Sequence, residues 1–323
     1  MKSTIILGAL STFAVAHPSI KAFENELAKR ADGPSTAMWG DVDEPSSETG
    51  KAINGIFTGK ESGLSSEGYE APDMDSDECQ KDECCVWKYI SEELLDMMQD
   101  GNGCNDFARG SIRMGFHDAG AWDLESGPGG ADGSIILAPG EISRSENTGL
   151  PGHGSTLKSI HAKYSKSFKI GMGDFLQCAS KIGVMACKGP RIRMFVGRPD
   201  SNKPAPSNML PSSTFSASQS MDLFGKKGVS PAGLVALLGA HTCSQSHGQS
   251  PAVPQDSSPG SWDTDYFSET LQNTASPGVG RFMSDVLLAK DAETRPVFQS
   301  FAEDIGSWDQ VCLLARQICP YLC

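Results

Sequence analysis

Positive charge is scarce in this chain. Its 323 residues carry 27 lysines and arginines against 40 aspartates and glutamates, a net charge of −13. Phosphate backbones would be repelled by that balance, which argues against a nucleic-acid partner. Long apolar runs are also missing. Only Ile5 to Val15 is mostly apolar, and it is too short to span a bilayer, so no membrane partner is expected. The cysteines never fall into paired Cys-x-x-Cys units, which argues against a zinc ribbon. No Asn-x-Ser/Thr acceptor occurs, so N-glycosylation is not expected. No segment alternates polar and apolar residues convincingly enough to read as a set of strands.

What is present begins with a targeting signal. Lys2, the apolar stretch and the small-residue site Ala14-Val15-Ala16 predict a signal peptide over 1–16, hence a secreted, extracellular protein. The dibasic pair Lys29-Arg30 reads equally as the end of a propeptide over 17–30 or as two solvated charges. Residues 31–78 are rich in Gly, Ser, Glu, Asp and Pro and predict a flexible N-terminal segment. The folded domain is expected over 79–323, with disulfides drawn from ten cysteines.

Within that domain the apolar period is helical, so the fold is expected to be mainly α. Val86, Ile90, Leu94, Leu95 and Met98 form one stripe; Phe107, Ile112 and Phe116 form a second that runs into His117. Segments 153–166 and 171–187 also read as helices. Ser230-Pro231 is an N-cap and first-turn pair opening an apolar helix that ends at His241. Further helices fit 263–272, 282–289 and 303–318. Loops rich in Gly, Pro and Ser fill 119–134, 197–220 and 244–262.

Four segments carry candidate chemistry. Arg113 and His117 are four residues apart, so a helix puts them on one face. Such a pair suits a reaction in which a proton moves while negative charge develops, although a surface Arg-x-x-x-His pair is commonplace. Gly130, Asp132 and Ser134, with Asp118 upstream, offer oxygens to a hard cation or simply make a glycine turn. His241, at the end of an apolar helix, suits a metal ligand, a core residue or a helix cap. Asp256, Ser258, Ser261 and Asp263 again space carboxylates and hydroxyls along a loop, or form a turn capped by Asp263.

In this order and at these intervals the segments resemble the fungal secreted haem peroxidases of the plant-peroxidase superfamily: lignin, manganese, versatile and generic peroxidases. The resemblance runs from about Cys84 to about Phe301. It implies a two-lobed helical fold with haem b between the lobes, in a monomer that reduces hydrogen peroxide and oxidises small aromatic donors. Arg113, Phe116 and His117 match the family's distal residues, Asn147 the residue that orients the distal His, and Glu141 an acid in the same network. His241 matches the iron ligand and Asp285 its carboxylate partner. His117 would move a proton between the peroxide oxygens while Arg113 stabilises the departing charge. Two calcium ions are implied, one on Asp118, Gly130, Asp132 and Ser134, the other on Thr242, Asp256, Ser258, Ser261 and Asp263. Cys104 and Cys187 match a family bridge. Cys84 is expected to tie to Cys312, Cys319 or Cys323, and the extra pair Cys178 and Cys243 to join each other.

The sequence also departs from the pattern. The three manganese-binding positions hold Asp106, Gly110 and His247, so that site is not expected. The exposed Trp used by lignin and versatile peroxidases is Ala236 here, which removes support for long-range oxidation of bulky donors. Trp122 and Trp262 are expected to pack. Gln255 stands where the family has Phe, a polar group near the proximal ligand that would alter the redox potential. A generic peroxidase acting on phenols at the haem edge fits best. Attack on lignin fragments by another route is secondary. The rivals are a secreted calcium-binding interaction protein without haem chemistry and a zinc site on His241, Cys243 and His247. The first would not be expected to retain all five haem-pocket residues. The second lacks a glutamate base.

Overall fold

A computed structural model describes residues 47–57, 60–66, 68–127, 129–246 and 252–316. The expected signal peptide and propeptide, His247, Cys319 and Cys323 lie outside them. The described chain is helical throughout, with two short antiparallel hairpins, Gln99–Asp100 on Gly103–Cys104 and Gln245–Ser246 on Val253–Pro254. The mainly α expectation therefore holds.

The helices fall into two groups. In the first, α1 (Glu48–Phe57) and α2 (Asp77–Lys81) precede α3 (Cys85–Met98), α4 (Asp106–Gly120), the single turn α5 (Ser134–Leu137), α6 (Leu150–Tyr164) and α7 (Met172–Ala186). Helices α3, α4 and α6 pack around α7. The α4–α7 crossing is close because small residues face each other. A Cβ on Gly115 would lie 2.5 Å from Ser180, and one on Gly183 would lie 2.8 Å from the Ala108 carbonyl. Asn105 opens α4, accepting hydrogen bonds from the amides of Phe107 and Ala108. The expected Cys104–Cys187 bridge closes the same pair of helices at one end.

The second group comprises α8 (Ala217–Lys226), α9 (Pro231–Leu238), α10 (Asp265–Thr270), α11 (Met283–Leu288), α12 (Arg295–Glu303) and α13 (Ile305–Arg316). Helix α9 carries almost no polar residue and packs against α13, α8 and α12. Ser230 caps it as anticipated, accepting from the Gly233 amide. Helix α8 was not foreseen. It starts inside a segment expected to be loop, where Ser216 and Gln219 form a reciprocal capping box. Helix α12 was not foreseen either.

Helix α8 also joins the groups. Phe224 stacks on Phe116 of α4 at 6.3 Å. The buried Lys227 ammonium donates to the carbonyls of Gly120 (2.9 Å) and Trp122 (2.7 Å), where α4 ends.

Two expectations are corrected. Segment 31–78 is not featureless: within it α1 buries Ile56, and Leu64 makes an antiparallel bridge to Ile192. Its average composition masked a local apolar face of Ile53 and Ile56. Second, no bridge joins Cys178 to Cys243. Cys178 lies 3.8 Å from Ser91 between α7 and α3, while the Cys243 thiol donates to the Ser261 carbonyl, so the two point into different packing layers. A second bridge, Cys79–Cys85, was not anticipated. Cys84 is exposed and not joined to Cys312.

Burial pushes the Lys227 ammonium down from 10.5 to about 8. Lys227→Met, which removes the donor serving two carbonyls, is expected to cost ~2–4 kcal/mol of stability. Because the folded pKa lies below the unfolded one, the unfolded chain binds more protons between these values. The wild-type advantage should therefore widen as pH rises from about 8 towards 10.5, which urea titrations of both proteins at several pH values will read.

Candidate functional site

The last two turns of α4 carry Arg113, Phe116 and His117. The Arg113 Nε donates to His117 Nε2 at 3.2 Å. Its other two nitrogens are fixed by the carbonyls of Thr148 (2.7 Å) and Glu146 (2.9 Å). His117 Nδ1 donates to Asn147 Oδ1 at 2.7 Å, and Asn147 in turn donates to the Glu141 main-chain carbonyl at 2.8 Å. That second bond orients the amide, so its oxygen must face the imidazole. The tautomer follows: Nδ1 carries the proton and Nε2 keeps its lone pair. Burial, with Arg113 beside it, pushes His117 down to about 3 despite the Asn147 bond, so the ring is a neutral base. The Glu141 carboxylate reaches Ser134 and the Ala205 amide rather than Asn147, so its part in the network runs through its backbone.

His241 ends the apolar helix in a 3-10 turn, Gly239–Cys243. A Cβ on Gly239 would lie 2.3 Å from the Trp308 indole, so only glycine lets that turn approach. His241 Nδ1 donates to Asp285 Oδ2 at 2.8 Å. Tyr266 donates to the same oxygen at 2.9 Å, and Ser284 to Oδ1 at 3.0 Å. Burial and the Asp285 charge hold the Tyr266 phenol well above its usual pKa, so it stays a donor. The rings of Tyr266 and Phe282 meet His241 edge-on at 5.5 and 5.4 Å. Asp285 is buried, whereas the His241 side chain keeps 29% of its exposure. Its Nε2 makes no hydrogen bond among the described residues. An imidazole with a carboxylate behind it and a nitrogen in front without a protein partner has the chemistry of a metal ligand.

Two oxygen-rich loops follow the histidines directly. Asp118 is fully buried and accepts from the amides of Gly133 (3.0 Å) and Ile135 (3.3 Å), while Asp132 accepts from the Ser134 amide. Burial raises Asp118 well above the carboxylate range, partly offset by those bonds. In the second loop Thr242 and Ser258 donate to Asp263 Oδ1 at 3.3 and 3.1 Å, and Thr242 also reaches the Ser261 carbonyl. Asp256 is buried, and its Oδ2 has no hydrogen-bond partner among the described residues. Burial pushes Asp256 up to about 7. A buried carboxylate oxygen without a partner, among further carboxylates and hydroxyls, fits a hard cation.

Sequence reasoning missed Tyr266, Ser284, Asp265 and Glu269. Asp265 accepts from Ser258 (3.3 Å), and Glu269 accepts from Ser257. Nothing in their spacing marks them, since each becomes relevant only through a fold-level contact.

A family model for peroxidases matches residues 90–304. A peroxidase of Arthromyces ramosus is 32% identical over 244 residues, covering 68% of this chain and 66% of the relative. A versatile peroxidase of Pleurotus eryngii is 32% identical over 248 residues, covering 69% and 66%. Ligninase C of Trametes versicolor is 34% identical over 250 residues, covering 68% and 66%. The chain belongs to the peroxidase family. It spans just under two thirds of the length of these relatives.

The departures also have a structural basis. A Cβ on Gly110 would lie 2.5 Å from the His153 ring, and His153 pairs with Asp106 at 3.5 Å. The second manganese position is therefore filled by an imidazole. Ala236 is fully buried, and its carbonyl accepts from the Trp308 indole, so that position has no surface. Trp122 and Trp262 are buried, as expected of packing residues. The Gln255 side-chain oxygen accepts from Ser244, and its amide faces the Val253 carbonyl. The Cys243 sulfur sits within 4.8 Å of those of Cys104 and Cys187, which are spent on their own bridge, and His247 lies outside the described residues. Gly110→Ala is expected to cost ~1–3 kcal/mol by overpacking. His153→Ala in the same chain should recover most of that, as read by thermal unfolding of the three variants.

Proposed function

We propose that this chain is a secreted haem peroxidase that reduces hydrogen peroxide and takes single electrons from phenols or other small aromatic donors at the haem edge. One observation carries the reading. Two imidazoles are both held through Nδ1, one with an arginine at its base nitrogen and the other with a carboxylate behind it. Haem b would be held by His241 through Nε2; when bound, it supplies the redox iron at which peroxide is reduced by two electrons. Around it the chain's own groups do the proton work. His117 Nε2 takes a proton from one peroxide oxygen and delivers it to the other. Arg113, pinned by two carbonyls, places positive charge where negative charge develops. Asn147 holds the Nδ1 proton, so Nε2 stays the basic nitrogen, and in the resting protein it accepts from the Arg113 Nε–H. Each turnover consumes one peroxide and two donor molecules and yields two waters and two donor radicals.

The two oxygen-rich loops would each hold a calcium ion, the first on Asp118, Gly130, Asp132 and Ser134, the second on Thr242, Asp256, Ser258, Ser261 and Asp263. The orphaned oxygen of Asp256 supports the second most directly. The apolar start of the sequence supports secretion, and among the described residues no helix is long and apolar enough to cross a membrane.

The deciding experiment is the absorption spectrum of the haem-reconstituted protein before and after one equivalent of peroxide. A Soret band that loses intensity and recovers on adding a phenol is expected. No Soret band after reconstitution would leave a calcium-binding interaction protein as the account. His117→Leu should slow the peroxide step by ~10²–10⁴ in stopped-flow, the worth of a positioned general base. For calcium, chelation should lower the wild-type melting point and added calcium restore it. Asp256→Ala should remove the second loop's share of that response, a loss of ~2.7 kcal/mol if calcium stands at about a hundred times its dissociation constant, and leave the share of the first.

A further inference from the structure

We propose that Tyr266, supported by Ser284, weakens the pull of Asp285 on His241 and so raises the oxidising strength of the haem that His241 would carry. The inference rests on the haem peroxidase reading and deepens it, because it concerns which donors that haem can oxidise.

The geometry is specific. Asp285 Oδ2 is shared by two donors, His241 Nδ1 at 2.8 Å and the Tyr266 hydroxyl at 2.9 Å, while Oδ1 takes the Ser284 hydroxyl at 3.0 Å. Asp285 is 1% exposed, so these protein donors stand where water otherwise would. A carboxylate that accepts from one imidazole alone draws its proton strongly and makes the ring electron-rich, which favours ferric iron. Each further proton donated to the carboxylate disperses its charge, and the shared oxygen has less to offer Nδ1–H. The ring then donates less to the iron, and the ferric state becomes the stronger oxidant.

Tyr266 is built for that task. It is fully buried, and its ring is wedged between Phe267 at 5.3 Å, Phe298 at 6.3 Å and His241 at 5.5 Å, so the hydroxyl has one direction available. The sequence had pointed to Gln255 as the polar tuner of this region. Gln255 bonds Ser244 and the Val253 carbonyl, whereas Tyr266 bonds the Asp285 oxygen that His241 itself uses. The consequence is for donor choice. With Gly110 closed by His153 and Ala236 buried, oxidation depends on the haem itself. A raised potential extends its range from electron-rich phenols to electron-poor ones. Tyr266 and Ser284 are positioning residues here, acting through Asp285.

The test uses the haem-reconstituted full chain as wild type, Tyr266→Phe, Ser284→Ala and Phe298→Leu. Tyr266→Phe keeps the ring and removes only the hydroxyl. Its ferric/ferrous equilibrium should shift towards ferric by roughly three- to tenfold, ~30–60 mV at ~59 mV per tenfold for one electron. The iron–histidine stretch in the ferrous Raman spectrum should rise, and the kcat/KM for an electron-poor phenol should fall relative to a methoxyphenol. Ser284→Ala should move the potential the same way by less. Phe298→Leu loosens the ring's packing but keeps the hydroxyl, and should move the potential by clearly less than Tyr266→Phe. An unchanged potential and Raman band in Tyr266→Phe, with a normal Soret band, would overturn the inference while the peroxidase reading stands. An equal shift in Phe298→Leu would overturn it too, by assigning the effect to packing. A wild type that binds no haem would overturn the underlying reading itself.

Discussion

Both imidazoles of the candidate site are useful only if Nδ1 is engaged by a protein oxygen. A free imidazole exchanges tautomers and turns about its side-chain bonds. One whose Nδ1–H is committed presents an unprotonated Nε2 in a fixed direction. His117 is committed by the Asn147 amide oxygen, itself oriented by the Glu141 carbonyl. His241 is committed by Asp285. The difference between the two acceptors is the difference in role. A neutral amide leaves a weakly basic ring, and burial beside Arg113 lowers it further, so it can release a proton as readily as take one. An anionic carboxylate makes the other ring a stronger donor, suited to a metal.

Each imidazole must also be held in place by the fold. His117 sits where α4 ends, and the following residue, Asp118, is tied to the amides of Gly133 and Ile135. His241 sits in a 3-10 turn, and the following Thr242 is tied to Asp263 and the Ser261 carbonyl. The oxygen-rich loops are therefore the anchors of the two histidines as well as candidate cation sites. Buried carboxylates at such positions repel one another and resist burial unless protonated or paired with a cation. An ion in either loop would tighten the turn that carries the imidazole, so cation binding and imidazole geometry become one equilibrium.

Much of this was legible in the sequence because it is local. The i, i+4 spacing of Arg113 and His117, the Ser230-Pro231 cap and the oxygen-bearing loops are all short-range patterns, and the structure shows each. Helix α8 was hidden because its large apolar residues, Met221, Leu223 and Phe224, are confined to a single turn, and its capping box lies in a serine-rich stretch that reads as loop. Helix α1 was hidden by the polar composition around it. The disulfides divide the same way. Cys104–Cys187 followed from resemblance and is present. Cys178 and Cys243 were matched only because both were left over, and their side chains face different neighbours. Tyr266 was out of reach for a deeper reason. Its importance lies in sharing one oxygen of Asp285 with a histidine from another element, a three-body contact that no pairwise spacing records.

On the proposed function, the departures from the family's pattern would together restrict where electrons enter. Gly110 cannot bear a carboxylate while His153 occupies the space beside it. Position 236 is under the Trp308 indole, and Gly239 is what allows that indole so close to the turn carrying His241. An aromatic ring that stood exposed in relatives at position 236 would here have to displace a packed core contact between α9 and α13. The loss of a surface route is thus a consequence of how tightly the proximal turn is packed, and the same packing fixes Tyr266 and Trp308 around it. On the proposed function, a chain with these positions closed would rely on the reactivity of the haem itself, and its donors would have to be small enough to reach it.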